Sequence, residues 1–491
     1  MKSTKNFSNL AITLSLLMVI LWAMPAAAAT AGHEANNIGK ILPWWAALPF
    51  VGMLLSIALC PLLTPRFWHL HYGKTAAFWA LLFAIPFLLA FPNLAPREIA
   101  NIFLIDYVPF IILLWALFTI AGGIVVAGSF SGMPIINTIM LLIGTIMASW
   151  IGTTGASMVM IRPVLKANKT RQNKVHTVCF FIFLVSNIGG SLTPLGDPPL
   201  FLGFLHQVPF FWVTMAVLPH MLFTTAILLA IFFVLDSYYF LREKKQEIII
   251  ELDKEQKVKF KLEGGYNLIL LAGVVGMVVI SGFWNAGGYT IKGMEFQWQN
   301  LARDMVIVVL GLLSLLITPQ HLRKANDFSW FPIIEVAKLF AGIFVTIIPV
   351  LAILKAGLDG PWAGLIALIK EPLHYYWISG ALSSFLDNAP TYLTFFNLAL
   401  GQLGLTEGMI PAALAANTAT ANPAFISFLK AVSVGAVFMG ANTYIGNAPN
   451  FMVNSIAKEF GVNMPSFFGY MFKYSIPILI PIFIVVGLVF F

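Results

Sequence analysis

Asp197 and Asp387 fall inside segments that are otherwise almost wholly apolar. At membrane depth an ionisable side chain costs about 2.5–3.5 kcal/mol on insertion scales, and residues kept there are by default parts of ion or proton pathways. Each stands in a polar cluster that interrupts a hydrophobic run. Four such clusters occur, at 152–155, 187–199, 387–390 and 440–450. Their Gly and Pro unwind a helix, while Asn, Thr and Asp replace the lost backbone hydrogen bonds. Unwinding also frees carbonyl oxygens and half-helix ends near the midplane, where they coordinate small ions. Hard cations such as Na⁺ take oxygen ligands. The candidates to bind Na⁺ and H⁺ are therefore Asp197 and Asp387, with Asn187, Thr193, Asn388, Asn442, Thr443, Asn447, Thr153 and Thr154 completing the shell. Asp before Pro, and Asp-Asn, are also good helix caps, and capping is compatible with ion binding. Thr and Asn serve widely as packing glue between membrane helices, so it is their clustering at the breaks that singles these out.

The elements that must position them are transmembrane helices. Of 491 residues, 59% are hydrophobic and 10% charged, against about 25% charged in a soluble domain. Repeated apolar runs of about 20 residues predict an all-α polytopic membrane protein bathed in lipid. The formal charge of +8 is confined to short loops; positive-inside topology accounts for it, and no nucleic-acid partner is implied. Cys60 and Cys179 lie in apolar runs with no CxxC or Cys/His cluster, which excludes a disulfide framework or a structural zinc site. With no Walker loop, HExxH or GxSxG, neither an ATPase nor a membrane-embedded enzyme is expected, and no cofactor. Residues 1–29 read as a signal peptide: Lys2 and Lys5, an apolar Leu10 to Trp22, then Pro25 and Ala26 to Ala29. The expected destination is a bacterial inner membrane.

About ten spans are predicted, near 43–64, 75–92, 107–127, 176–206, 212–235, 266–284, 305–318, 333–355, 428–457 and 468–491. Stretches 133–167 and 361–404 are broken midway and predict re-entrant hairpins, because irregular backbone is tolerated there only when shielded from lipid. If the hairpins do not cross, the loops at 65–74, 162–174, 236–265 and 319–332 share one side. They hold 16 of the 28 Lys and Arg, which makes that side cytoplasmic.

The two halves of the chain repeat. The segment from Asp106 to Gly128 matches Glu335 to Gly357, Ser149 to Ser157 aligns with Ser383 to Thr391, and Thr193 to Pro199 aligns with Thr443 to Pro449. Order is kept while only the loops grow. The expected organisation is a first repeat over 41–235, a charged cytoplasmic linker over 236–265 and a second repeat over 266–491. Each half holds five crossings and one hairpin. An odd number of crossings makes the second half enter from the opposite side, giving an inverted-topology repeat with two re-entrant hairpins and two broken helices.

The motifs from Ser186 to Pro199 and from Ser383 to Thr391 resemble the ion transporter superfamily, which includes arsenite permeases, D-type sodium/proton antiporters, citrate–metal transporters and dicarboxylate/sodium symporters. The resemblance covers about residue 43 to the end. It implies a hairpin and a broken helix facing each other around the site in each half, alternating access by rigid-body shift of a transport unit, and a homodimer. Asp387-Asn388 and Gly196-Asp197-Pro198-Pro199 look most like the D-type antiporters, which implies exchange of Na⁺ or Li⁺ for H⁺. The chain departs from them at Thr153-Thr154, where they typically carry a second Asp-Asn. The alternative is cation-coupled transport of citrate or another organic anion. Against it, two midplane carboxylates repel an anion, and the breaks hold no Arg to clamp one.

Overall fold

A computed structural model describes residues 38–128, 131–244, 261–291, 294–416 and 418–491. The expected signal peptide and the middle of the linker lie outside the described residues. The chain is a multi-pass bundle of α-helices. In the first half these are α1 (Leu48–Leu63), α2 (Pro65–Ala90), α3 (Val108–Ala121), α4 (Pro134–Ile151), α5 (Thr153–Ala167), α6 (Val175–Leu184), α7 (Pro198–Leu205) and α8 (Phe210–Lys244). In the second half they are α9 (Tyr266–Phe283), α10 (Trp298–Ile317), α11 (Phe331–Thr346), α12 (Ile348–Lys355), α13 (Pro372–Ser383), α14 (Asn388–Leu403), α15 (Pro423–Met439), α16 (Ala448–Glu459) and α17 (Ile476–Phe490). Proline opens α4, α7, α13 and α15, where its missing N–H leaves no bond unmade. Beside these and several shorter helical turns, the described chain has two short antiparallel pairs: β1 (Val125–Ala127) with β2 (Lys261–Glu263), and β3 (Gly288–Ile291) with β4 (Met294–Gln297).

Among the described residues ten helices are long and apolar enough to cross a membrane, and α11 with α12 forms an eleventh candidate bent by 42°. Residues 65–74, expected as a loop, are instead the first turns of α2. Similarly, α8 runs on to Lys244 through what was expected to be linker. One helix of sufficient length, α4, is an arm of the first hairpin. Its start meets the end of α5, where the amide groups of Asn137 and Asn168 exchange hydrogen bonds of 2.9 and 2.8 Å. The hairpin therefore leaves by the side it entered. The second hairpin, α13–α14, closes its base in the same manner, with the Tyr375 hydroxyl donating to Gln402 Oε1 at 2.6 Å.

The two bases lie at opposite ends of the bundle. Helix α6 starts at the first base, where His176 Nε2 lies 2.9 Å from Asp236 Oδ1 and Asn137 also bonds Asp236. After the break α7 continues to His206, whose Nδ1 is 3.1 Å from Glu407, just past the second hairpin. One broken helix thus runs from base to base, and the hairpin tips meet at its interruption. This is the inverted arrangement expected from the repeat. The broken helices are also the centre of the bundle: 89% of Val175–Leu192 and 78% of the most apolar part of Pro423–Asn442 is buried, against 22% for that of α10, which faces lipid.

Candidate ion-binding site

The first hairpin turns at Gly152, whose φ of 80° is costly for any residue with a Cβ. That turn lets α5 begin at Thr153, and in the second hairpin α14 begins at Asn388 behind its cap Asp387. In the breaks, α7 begins after Asp197 and α16 after Asn447. Four helix N-termini, each a partial positive charge, thus lie at the two tips and the two breaks. The breaks fold alike: a Cβ on Gly196 would sit 2.1 Å from the Gly190 carbonyl oxygen, and one on Gly446 2.4 Å from that of Gly440. Thr193 donates to the Ser149 carbonyl, as Thr443 does to that of Ser384. Each threonine ties its break to the tip of its own hairpin.

These contacts correct the alignment of the hairpins by one residue. Gly152 and Asp387 are both caps, so Thr153 corresponds to Asn388 rather than to Asp387. The chemistry follows the corrected register. Thr153 donates its hydroxyl to Asp197 Oδ1 at 3.0 Å, and Asn388 donates its amide to Asp197 Oδ2 at 2.8 Å. Asn447, from the opposite break, donates to Asp197 Oδ1 and to the Ser186 carbonyl, both at 3.0 Å. Asp197, 1% exposed, is the point on which both hairpins and both breaks converge. Its charge is balanced by three donors and by the surrounding helix N-termini, with no cationic side chain among its bonded partners.

Asp387 is placed differently. Its carboxylate accepts the Ala389 N–H at 3.0 Å, capping α14, and the residue is only partly buried. It makes no hydrogen bond to Asp197 among the described residues, so the two carboxylates do not form a directly bonded pair. Thr154 faces a cavity without joining the network. Asn187 donates to Asn450 Oδ1 at 2.7 Å and to the Ile182 carbonyl, and Asn450 in turn donates to the carbonyls of Gly440 and Thr443. Asn442 donates to Ser384 Oγ at 2.9 Å. The Oδ1 atoms of Asn187 and Asn442 are buried and accept no hydrogen bond, which is costly unless another electropositive partner arrives.

The cavity beside Asp197 offers about 80 Å³ to water-sized occupants, room for roughly half a dozen waters. Thr153, Thr154 and Asp197 supply its polar edge, while Phe110, Leu113, Leu117 and Ile333 are among its apolar walls.

The family model described as "Putative citrate transport" matches residues 39–491. The chain belongs to this family. No curated protein matches it. The transporter thus carries its broken helices and hairpins as its central feature, with Asp197 at their meeting point. Asn450 and Ser383 belong to the network but were not singled out by sequence. Asn450 lies one turn after Asn447 in Asn-Ala-Pro-Asn, and the Ser383 hydroxyl lies 2.6 Å from Asn388 Oδ1. A polar residue one turn into a half-helix, facing the same way as its cap, was the available signal.

Proposed function

We propose that this transporter is a Na⁺/H⁺ antiporter in which Asp197 carries one ion or the other across the membrane. The observation that carries the reading is the convergence of both hairpins on this one buried carboxylate, through an Asn388 amide whose Oδ1 borders the same space at Gly440 as the unpaired Asn187 Oδ1. A bare carboxylate at that depth is stable only while donors surround it, and Thr153, Asn388 and Asn447 supply them. A proton or a sodium ion neutralises the same charge, so the two compete, and competition at a shared group couples their gradients. Asparagine suits the exchange because one side chain offers both a donor and an acceptor. Turning the amide of Asn388 replaces an N–H aimed at Asp197 with an oxygen aimed at a cation. Asn187 Oδ1, Thr153 Oγ1 and the loosened carbonyls of the breaks supply further oxygen ligands. Asp387 adds a nearby negative charge rather than a ligand. Among the described residues no Lys or Arg lines the cavity to pair with a tricarboxylate.

The family description favours a second reading, cation-coupled uptake of citrate. The same Asp197 would then hold the coupling ion, and helix N-termini would face the substrate carboxylates. Purified protein in weakly buffered detergent solution separates the two. Adding Na⁺ should release protons from the wild type and not from Asp197→Asn. Absence of release, with Na⁺-dependent binding of labelled citrate, would replace the antiport reading by the second.

A further inference from the structure

At the end of the bundle opposite the Lys/Arg-rich loops, His206 lies between two carboxylates. Its Nδ1 is 3.1 Å from Glu407 Oε2, and its Nε2 is 3.4 Å from Asp106 Oδ1. Glu407 also pairs with Lys355 Nζ at 2.7 Å. Exposure falls inward along the cluster: the side chains are 46% exposed at Lys355, 36% at Glu407, 10% at His206 and 8% at Asp106. Asp106 Oδ1 and His206 Nε2 are buried without a hydrogen bond.

A neutral imidazole has one N–H and one lone pair. Here both ring nitrogens face carboxylate oxygens, so the neutral ring must turn its lone pair toward one of them. The doubly protonated ring serves both. Charge leads to the same result: Asp106, Glu407 and Lys355 sum to −1, which one proton on His206 cancels. Glu98 also lies near Lys355, with Arg97 acting on it, and Lys40 pairs with Asp359 past the end of α12. His206 stands just beyond the last residue of α7, at the outer end of the segment predicted over 176–206. Burial pulls its imidazole down, but Glu407 and Asp106 outweigh that and hold it above its usual value.

The four residues belong to different parts of the molecule. His206 ends the half-helix that starts at Asp197, and Glu407 follows the second hairpin, so both are attached to elements of the ion site. Asp106 sits in a π-helical turn, Ile102–Tyr107, leading into α3, and Lys355 ends α12. Turns of this type recur at functional sites. Phe110, one turn beyond Asp106, lines the cavity beside Asp197.

We propose that His206, clamped by Asp106 and Glu407, is a second proton-binding site, separate from Asp197, whose occupation ties the outer ends of the site-bearing helices to α3 and α12. The proposal builds on the reading of this chain as a proton-coupled transporter, but its test does not depend on transport. Thermal unfolding of the purified full chain is followed from about pH 5 to pH 9, the range in which histidine titrates. A group held above its unfolded value stabilises below the unfolded pKa, and that contribution is lost as pH rises through the folded one. The Tm of the wild type should therefore exceed that of His206→Gln most at acid pH, and the two should converge at alkaline pH. Glu407→Gln and Asp106→Asn, which keep shape and remove one counter-charge each, should narrow the same difference; they also serve if His206→Gln does not fold. Curves that run parallel across the range, for His206→Gln or for both carboxylate variants, would mean packing alone and overturn the proposal. Failure of Na⁺-driven proton release would leave this result untouched.

Discussion

Gly440 offers the sharpest local perturbation of the site. A Cβ built there would lie 2.4 Å from Asn388 Oδ1 and 3.0 Å from Asn187 Oδ1. Real Cβ atoms are essentially never found within 3.0 Å of another atom, so Gly440→Ala must push Asn388 away by about 0.6 Å or more, of the order at which a tightly packed core yields only with strain. A shift of that size moves Asn388 Oδ1 away from a cation held on Asp197. One contact to a charged group is then lost, about 1.5–3 kcal/mol, or roughly 10- to 150-fold in the affinity of an ion held through Asp197 and Asn388. The methyl group also occupies the gap between two candidate ligand oxygens. Gly276 in α9 supplies the control, because an added Cβ there meets nothing within 4 Å. Alanine at a helical glycine should be neutral or stabilising by up to about 1 kcal/mol. The assay is Na⁺ binding by purified protein, titrated with labelled Na⁺ beside thermal unfolding. Gly440→Ala binding Na⁺ as tightly as Gly276→Ala would refute the placement of the cation between these amides.

Thr153→Val keeps the shape of α5 and removes the Oγ1 oxygen that lies on Asp197; half-saturation by Na⁺ should rise about tenfold, and an unchanged value would remove Thr153 from the shell. Asp387→Asn retains a good cap, so its melting temperature should stay near that of the wild type, whereas Asp387→Ala should lose about 1 kcal/mol; equal losses would argue against capping. Arg171 pairs with Asp236 at 2.8 Å and Glu243 at 2.6 Å, all buried. Arg171→Ala removes the one cation shared by two buried carboxylates, leaving Asp236 to His176 and Asn137 and Glu243 to Asn173, and should destabilise by about 3 kcal/mol, while Na⁺ affinity of the surviving folded fraction stays constant. A changed affinity without loss of stability would contradict a structural role.

The helices and their interruptions were legible because lipid imposes them: only long apolar runs cross, and only Gly/Pro-rich polar clusters can break. Hairpin positions followed from the same rule. Register was less visible. Ser149-Trp and Ser383-Ser align equally well on paper, and only the contacts of Thr193 and Thr443 with the hairpin tips decide that Thr153 matches Asn388. Two aspartates that look alike in sequence are placed differently: Asp197 accepts from both hairpins, while Asp387 caps α14. Loop boundaries failed where charge was taken to end a helix: Arg66 and Lys74 lie within α2, and Asp236 and Glu243 within α8, because buried pairing and exposed helix ends both accommodate charge. His206 read as a boundary residue; its two carboxylate neighbours come from positions 100 residues before and 201 after it, a distance no local pattern spans.

The most direct measurement is a pH-dye assay in everted membrane vesicles energised by respiration, comparing wild type with Asp197→Asn. Addition of Na⁺ or Li⁺ alone should alkalinise the wild-type lumen, with no response to K⁺ or citrate and none from the variant. A wild type silent to cations, or an Asp197→Asn protein that exchanges as well as the wild type, would contradict Na⁺/H⁺ exchange at Asp197.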